Sequence, residues 1–250
     1  MADLNAIRMY IDERVAGDNT LAILLDKVRK STATYMEAER FAMRIGTIIA
    51  DAIELFGDGV LNWETTKDMC LTVLEYDFDV VSEYCTMVQA DLNAKYLVRV
   101  KPLKSSFDKV NALGIANNKQ DGWQIGEQIK NYSMHEVDNY QKANMDYQKA
   151  SGLNPQITRT MQGETCSFCK GLVYSGAYGG AGMPKNIFAR HRSCDCSIIY
   201  SPRAGKYQDV WSKKEATSYY EAVREQRKEL ADRNYLTMSE VEKRRKLRNK

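Results

Sequence analysis

Residues 165–200 read TCSFCKGLVYSGAYGGAGMPKNIFARHRSCDCSIIY. Cys166, Cys169, Cys194 and Cys196 are four of the six cysteines in the chain, and His191 is one of its two histidines. The stretch joins a C-x2-C knuckle to an H-x2-C-x-C knuckle across a glycine-rich excursion. Soft thiolates at this spacing, with an imidazole, are the donors a tetrahedral zinc ion takes. Two cysteines three apart close on one ion because the turn between them directs its N–H groups at sulfur. Five donors exceed four positions. A strand beginning at Cys194 places Cys194 and Cys196 on one face, which favours four cysteines with His191 beside them. A turn persisting through Asp195 favours His191 and one of that pair. Both sets stay open, and all five residues are candidate ligands for a structural Zn2+.

Composition changes just upstream, at Ser151-Gly152. Eight of the fifteen glycines lie between 152 and 205, together with the short alternating runs ITRTM (157–161) and SIIY (197–200), which read as strands. A small α+β, zinc-stapled module is therefore expected over 152–205, after a helical domain over 1–151 and before a charged helical tail over 206–250. The expected fold class is mainly α: a long N-terminal helical hairpin or bundle, this module, and a basic C-terminal helix.

The helical domain is legible from its period. Leu21, Leu24, Leu25, Val28, Thr32 and Tyr35 recur at three- and four-residue steps, and Ile45, Ile49, Ile53 and Phe56 continue the stripe. Asp18 is placed to cap it and Gly57-Asp58-Gly59 to end it. A single helix there has about 38 residues and a length of about 57 Å, so it either breaks near Gly46 or packs along a partner. From Asn62 to about Tyr96 the period recurs, with Cys70, Val73, Leu74, Phe78, Val81, Tyr84, Cys85, Val88 and Leu92 on the buried face. An antiparallel hairpin with the first helix follows. A third helix runs from about Gly122 to Ala150, with Ile125, Ile129, Tyr132, Val137, Tyr140 and Tyr147 on its apolar side. His135, alone on that helix, reads as structural.

Bulk properties limit the function. The 250 residues are 44% apolar and 28% charged, which suits a folded chain and not a disordered one. No run approaches the ~20 apolar residues that cross a bilayer, and MADLNAIRMYIDERVAGD has no apolar signal core, so no membrane partner is expected. Clustered cysteines in the reducing compartment this implies are metal ligands rather than disulfides. Cys70 and Cys85, in apolar helical stretches, read as inert core thiols. Net charge is only +3. Its excess sits in residues 213–250, where twelve Lys/Arg meet seven Asp/Glu. There Lys243, Arg244, Arg245, Lys246 and Arg248 form a basic patch that either meets nucleic acid or forms a solvated helix face.

The motif does not point to an enzyme. A catalytic zinc keeps an open position and a nearby base, but Glu164 is the only close upstream carboxylate and no H-E-x-x-H occurs. The deaminase signature fails as well, since neither histidine is followed two residues on by Glu. GAYGGAG (176–182) lacks the Lys-Ser/Thr of a phosphate-binding loop.

With these residues in view, the stretch resembles the phage minor capsid and head morphogenesis proteins of the Mu F type, in the branch infecting Gram-positive bacteria. That family carries T-C-x2-C, a glycine-containing excursion, and H-x2-C-x-C running into a short apolar strand. Thr165, Cys166, Cys169, His191, Cys194, Cys196 and Ser197-Ile198-Ile199 match it, with a similar lead-in, ITRTMQGETC (157–166). LVRVKPLKSSF (97–107) fits the helical layout that precedes the motif in such proteins. Arg192 stands where many members have Pro or Asp, and the basic C-terminal helix lies outside the shared motif. The resemblance implies a low-copy virion protein inside the head near the portal vertex, present in the host cytoplasm during assembly. Its implied partners are the portal protein and other capsid or scaffold proteins, with DNA as a further candidate; the protein either stays inside the capsid or leaves with the DNA. The alternative is a nucleic-acid-binding zinc module.

Overall fold

The computed structural model describes residues 4–56, 63–94, 96, 98–103, 122–161, 166–191, 194, 196–202 and 213–248. The protein is mainly helical with one small three-stranded antiparallel sheet. Helix α1 (Leu4–Gly17) was not legible from the apolar stripe, because only Ile7, Ile11 and Val15, four residues apart, are buried on it. Asp18 does cap the next helix, α2 (Asn19–Arg29), accepting a hydrogen bond from the Leu21 N–H at 2.8 Å.

The expected single helix over 18–56 is two helices, and the break is not near Gly46. The chain leaves α2 at Lys30, passes through Ser31 at φ 56°, and restarts as α3 (Tyr35–Phe56). The restart is a capping box. The Thr34 hydroxyl accepts from the Met36 N–H at 3.2 Å, and the Glu37 carboxylate accepts from the Thr34 N–H at 3.0 Å. T-x-x-E within STATYMEAER outweighs the continuing apolar period.

Helices α4 (Trp63–Ala94) and α5 (Gly122–Ala150) follow as expected. The whole predicted face of α4 from Cys70 to Val88 is buried, with Leu92 half-buried. On α5, Ile129, Val137 and Tyr140 are buried, Tyr132 and Tyr147 half-buried, and His135 exposed; the Ile125 side chain lies outside the described residues. So does the Gly57–Gly59 turn.

Cross-contacts give the directions. Tyr35 meets Gln89 and Phe41 stacks on Tyr84 at 4.2 Å, so α3 and α4 run antiparallel, as a hairpin requires. Ser133 bonds Asp77, Tyr140 bonds Thr86 and Gln148 bonds Asn93, at sequence separations of 56, 54 and 55. Helices α4 and α5 are therefore parallel and in constant register. Against α5, α3 is antiparallel and very close. A Cβ on Gly46 would lie 2.6 Å from Ser133 Oγ and 3.1 Å from Lys130 Cα, and one on Gly126 3.1 Å from Ala50 Cβ. Gly46 thus serves packing rather than a break. Gly46→Val is expected to cost about 1–3 kcal/mol by overpacking; a urea midpoint equal to wild type would refute this close approach.

Strand β1 (Gln156–Thr160) is central, between β2 (Tyr174–Ala177) and β3 (Ser197–Ser201). Its register sets Thr158 opposite Ser175 on one side and Ile199 on the other. β2 went unread because YSGA lacks an apolar alternation; it takes the first two residues of GAYGGAG, and Gly179 and Gly182 beyond it have positive φ. The sheet does not stand apart from the helices: Ile157, Ile187, Ile198 and Tyr200 belong to the core that α1 to α5 build. Tyr200 stacks edge-on to Tyr35 and bonds Gln148, joining a buried amide network with Gln89 and Asn93.

The C-terminal segment comprises α7 (Lys213–Leu230), a 3-10 turn (Arg233–Leu236) and α8 (Met238–Arg248). Its Leu230, Leu236, Met238 and Val241 enter the same core. Asp12 of α1 caps α8 by accepting from the Met238 N–H at 2.5 Å, and the Tyr76 hydroxyl donates to the Leu236 carbonyl at 2.8 Å. No helix among the described residues is long and apolar enough to cross a membrane.

The interior between α4 and α5 holds acids. Asp77 is fully buried and Glu136 nearly so, each with one carboxyl oxygen lacking a hydrogen-bond partner among the described residues. Burial raises the Glu136 carboxyl to about 7 against a smaller lowering by Tyr132. The folded chain therefore holds this proton more tightly than the unfolded chain, whose glutamate titrates near 4.5. Its stabilising share is complete below about 4.5 and is lost as pH rises through about 7. Urea titrations should show stability falling over that window, and Glu136→Gln should flatten the fall by up to about 3 kcal/mol. An unchanged pH profile in the variant would rule the account out.

Candidate metal centre

The centre is built where three backbone segments meet at the end of the sheet. Cys166, in extended conformation, precedes the single-turn helix α6 (Ser167–Lys170), and its carbonyl accepts from the Lys170 N–H at 3.0 Å. This tight turn aims the N–H groups of Cys169, chiefly, and of Phe168 at the Cys166 sulfur, which lowers its thiol from the usual range. That is the knuckle geometry expected from C-x2-C. The second segment is the return from β2, which brings His191 to Cys169 with Nε2 3.0 Å from Sγ, its ring edge-on to Phe168 at 5.8 Å. The third is the approach to β3. The strand begins at Ser197, after both cysteines rather than at Cys194, yet Cys194 and Cys196 are both buried in the cluster.

All five predicted donors are therefore brought together. They form two overlapping triads, Cys166/Cys169/His191 and Cys169/Cys194/Cys196, with the donor atoms of each within 4.8 Å of one another. Cys169 is common to both. Its sulfur lies 3.9 Å from that of Cys194, far beyond a disulfide bond of about 2.05 Å. It matches the edge of about 3.8 Å that follows from a tetrahedron with Zn–S bonds of about 2.3 Å. All six cysteines are free.

The electrostatics suit a cation. Burial, followed by the neighbouring thiols of Cys196 and Cys194, pushes Cys169 up to about 12. Burial also opposes the Cys194 thiolate, but the Cys196 N–H and thiol, Arg190 and Cys169 outweigh it and lower that thiol. The cluster eases Cys166 and Cys194 toward the thiolate while holding the proton on Cys169, and a divalent ion would displace that proton. The donor set thus fits a zinc ion, with Cys169 central and the rest of the set drawn from Cys166, Cys194, Cys196 and His191.

Charged residues around the centre had no signal in the apolar periodicity. Arg190, whose side chain is 4% exposed, donates to the Cys196 carbonyl at 2.8 Å, to Asp138 of α5 at 2.8 Å and to Glu39 of α3 at 3.1 Å. Glu39 also accepts from the Ile198 N–H at 2.8 Å. Burial raises Glu39 to about 7, with Arg190 and the Ile198 N–H acting against it. One guanidinium therefore ties the ligand loop to two helices of the bundle.

Four of the five residues of the basic patch have acidic partners within the chain. Arg244 pairs with Glu83 at 2.8 Å and covers the Tyr235 ring at 3.4 Å; Arg245 pairs with Asp79 and Glu75; Arg248 reaches Asp79 at 4.0 Å; Lys243 pairs with Glu240. Lys246 lines a shallow groove with Arg8, Ser239 and Glu242. The basic face of α8 thus lies on an acidic stripe of α4 at four-residue steps, Glu75, Asp79 and Glu83.

Fold and site together define a mainly helical protein with a small antiparallel sheet and a Cys/His cluster able to hold a metal ion. No protein-family model matches the chain, and no curated protein or solved structure matches it.

Proposed function

We propose that this chain is a phage minor head protein that acts without catalysis in head morphogenesis at the portal vertex, with a structural zinc ion at the cysteine–histidine centre. The observation that carries the reading is the order and convergence of the donors. T-C-x2-C and H-x2-C-x-C resemble the Mu F-type motif in sequence, and their five donors meet at the end of the sheet in two triads that share Cys169. Zinc bound there supplies a cross-link rather than a reagent. It would be held by Cys169 together with Cys166, Cys194, Cys196 or His191, fastening α6, the 178–191 return and the start of β3. The Arg190 bridge extends that fastening to α3 and α5, giving a rigid body suited to assembly contacts with portal, capsid or scaffold proteins.

The test is fractionation of an infected or reconstituted assembly. The protein should travel with proheads or portal complexes and carry about one zinc per chain by elemental mass spectrometry. Its absence from both proheads and mature virions would defeat the head assignment. Absence of metal after chelator-free purification would defeat the zinc reading separately. DNA contact through residues 243–248 has less support, since carboxylates already answer Arg244, Arg245 and Arg248. A gel shift with steep salt dependence, abolished by deleting 240–250, would restore it.

A further inference from the structure

Arg159 sits in the central strand with its side chain fully buried. One guanidinium nitrogen donates to the Ile187 carbonyl at 2.5 Å, and the other lies 3.8 Å from Cys194 Sγ. Its Nε has no hydrogen-bond partner among the described residues, and no described carboxylate pairs with it. The contrast with Arg190 is direct, because that guanidinium is answered by Asp138 and Glu39. A buried cation left uncompensated costs several kcal/mol. The acidic group the described residues set within hydrogen-bonding reach of Arg159 is the Cys194 thiol.

We infer that Arg159 is a positioning residue of the metal centre, compensating its charge and holding Cys194 as a thiolate ligand through an N–H···S hydrogen bond. The inference rests on the zinc reading above and adds to it in two respects. It assigns Cys194 to the ligand set, leaving the choice of remaining donors among Cys166, Cys196 and His191. It also makes the centre dependent on a residue that is not a ligand. A divalent ion with three thiolates and one imidazole carries −1, and with four thiolates −2, so either set leaves negative charge for Arg159 to balance. The placement suits the task. Arg159 projects from a strand paired on both sides, so its fork is held in register with β3 just beyond Cys196. The Ile187 carbonyl fixes the other arm of the fork. Outer partners that orient and tune a ligand in this way are typically worth about 10–100-fold in metal affinity.

The test uses the full chain, stripped and reloaded with Co2+, whose sulfur-to-metal charge-transfer bands report the thiolates. Wild type should bind one equivalent. Arg159→Met should weaken binding in chelator competition by about 10-fold or more and shift the charge-transfer band to lower energy, because the thiolate loses its hydrogen bond. Arg159→Lys keeps the charge without the fork; it should fold, bind with intermediate affinity, and show the same direction of shift. If the methionine variant fails to fold, the lysine variant decides. In a Cys194→Ser background, Arg159→Lys should have no further effect on the band. Folded variants with wild-type affinity and an unshifted band would overturn the role of Arg159 while leaving the zinc reading intact. Failure of wild type to bind cobalt or zinc would instead remove the reading on which it rests.

Discussion

Cys169→Ser is expected to yield a chain that purifies without metal and melts like chelator-treated wild type. Cys169 belongs to both donor triads and is 3% exposed, so its loss leaves neither triad complete. A serine hydroxyl is too hard and too weakly acidic to replace a thiolate on zinc. Structural zinc contributes roughly 10–16 kcal/mol of apparent binding energy in small metal-folded domains, as much as the entire stability of an ordinary domain, about 5–15 kcal/mol. Cys166→Ser should do less, because Cys166 is half-buried and belongs to one triad. Elemental analysis beside thermal melts, with and without chelator, separates the cases. If Cys169→Ser melts with untreated wild type and chelator changes neither, the centre has no structural role.

Arg190→Met should be the other severe lesion, at about 3–5 kcal/mol, the usual cost of removing one partner from a buried ionic cluster. It strands Asp138, wholly buried, and Glu39, 5% exposed, and frees the Cys196 carbonyl. The loss has a pH signature. Removing Arg190 removes the nearest charge holding Glu39 down, so its carboxyl should rise further above the value of about 7 it has in the fold. The variant should therefore be weakest in alkaline buffer and recover as acid protonates Glu39. Adding Glu39→Gln to Arg190→Met should restore part of the stability at pH 8. A loss below about 1 kcal/mol, the range of exposed ion pairs, would show that the three residues are not coupled as described.

Both lesions concern residues that the sequence makes unequally visible. The five candidate donors could be read directly, since ligand chemistry is written in residue type and spacing, and the turn C-S-F-C has the geometry of such a knuckle. Helices α4 and α5 were equally legible because their apolar period is uninterrupted. The split between α2 and α3 was signalled, but by polar residues: Thr34 and Glu37 form a capping box inside a stripe that apolar periodicity runs straight through. Arg159, Arg190, Glu39 and Asp138 had no such signal. A charge that will be buried looks like a surface charge until the elements around it are packed. Gly46 shows the same limit, since only the approach of α5 explains why that position has no side chain.

The clasp between α1, α4 and the C-terminal segment bears on synthesis. Asp12 waits for Met238, Arg8 for Glu242 and Tyr76 for Leu236, partners 226, 234 and 160 residues further along. At translation speeds of about 5–20 residues per second, these surfaces stay uncovered for on the order of 10 s or more on the ribosome. Nascent chains stalled before residue 230 should therefore bind holdase chaperones, and released chains should not, once Leu236, Met238 and Val241 have closed the core.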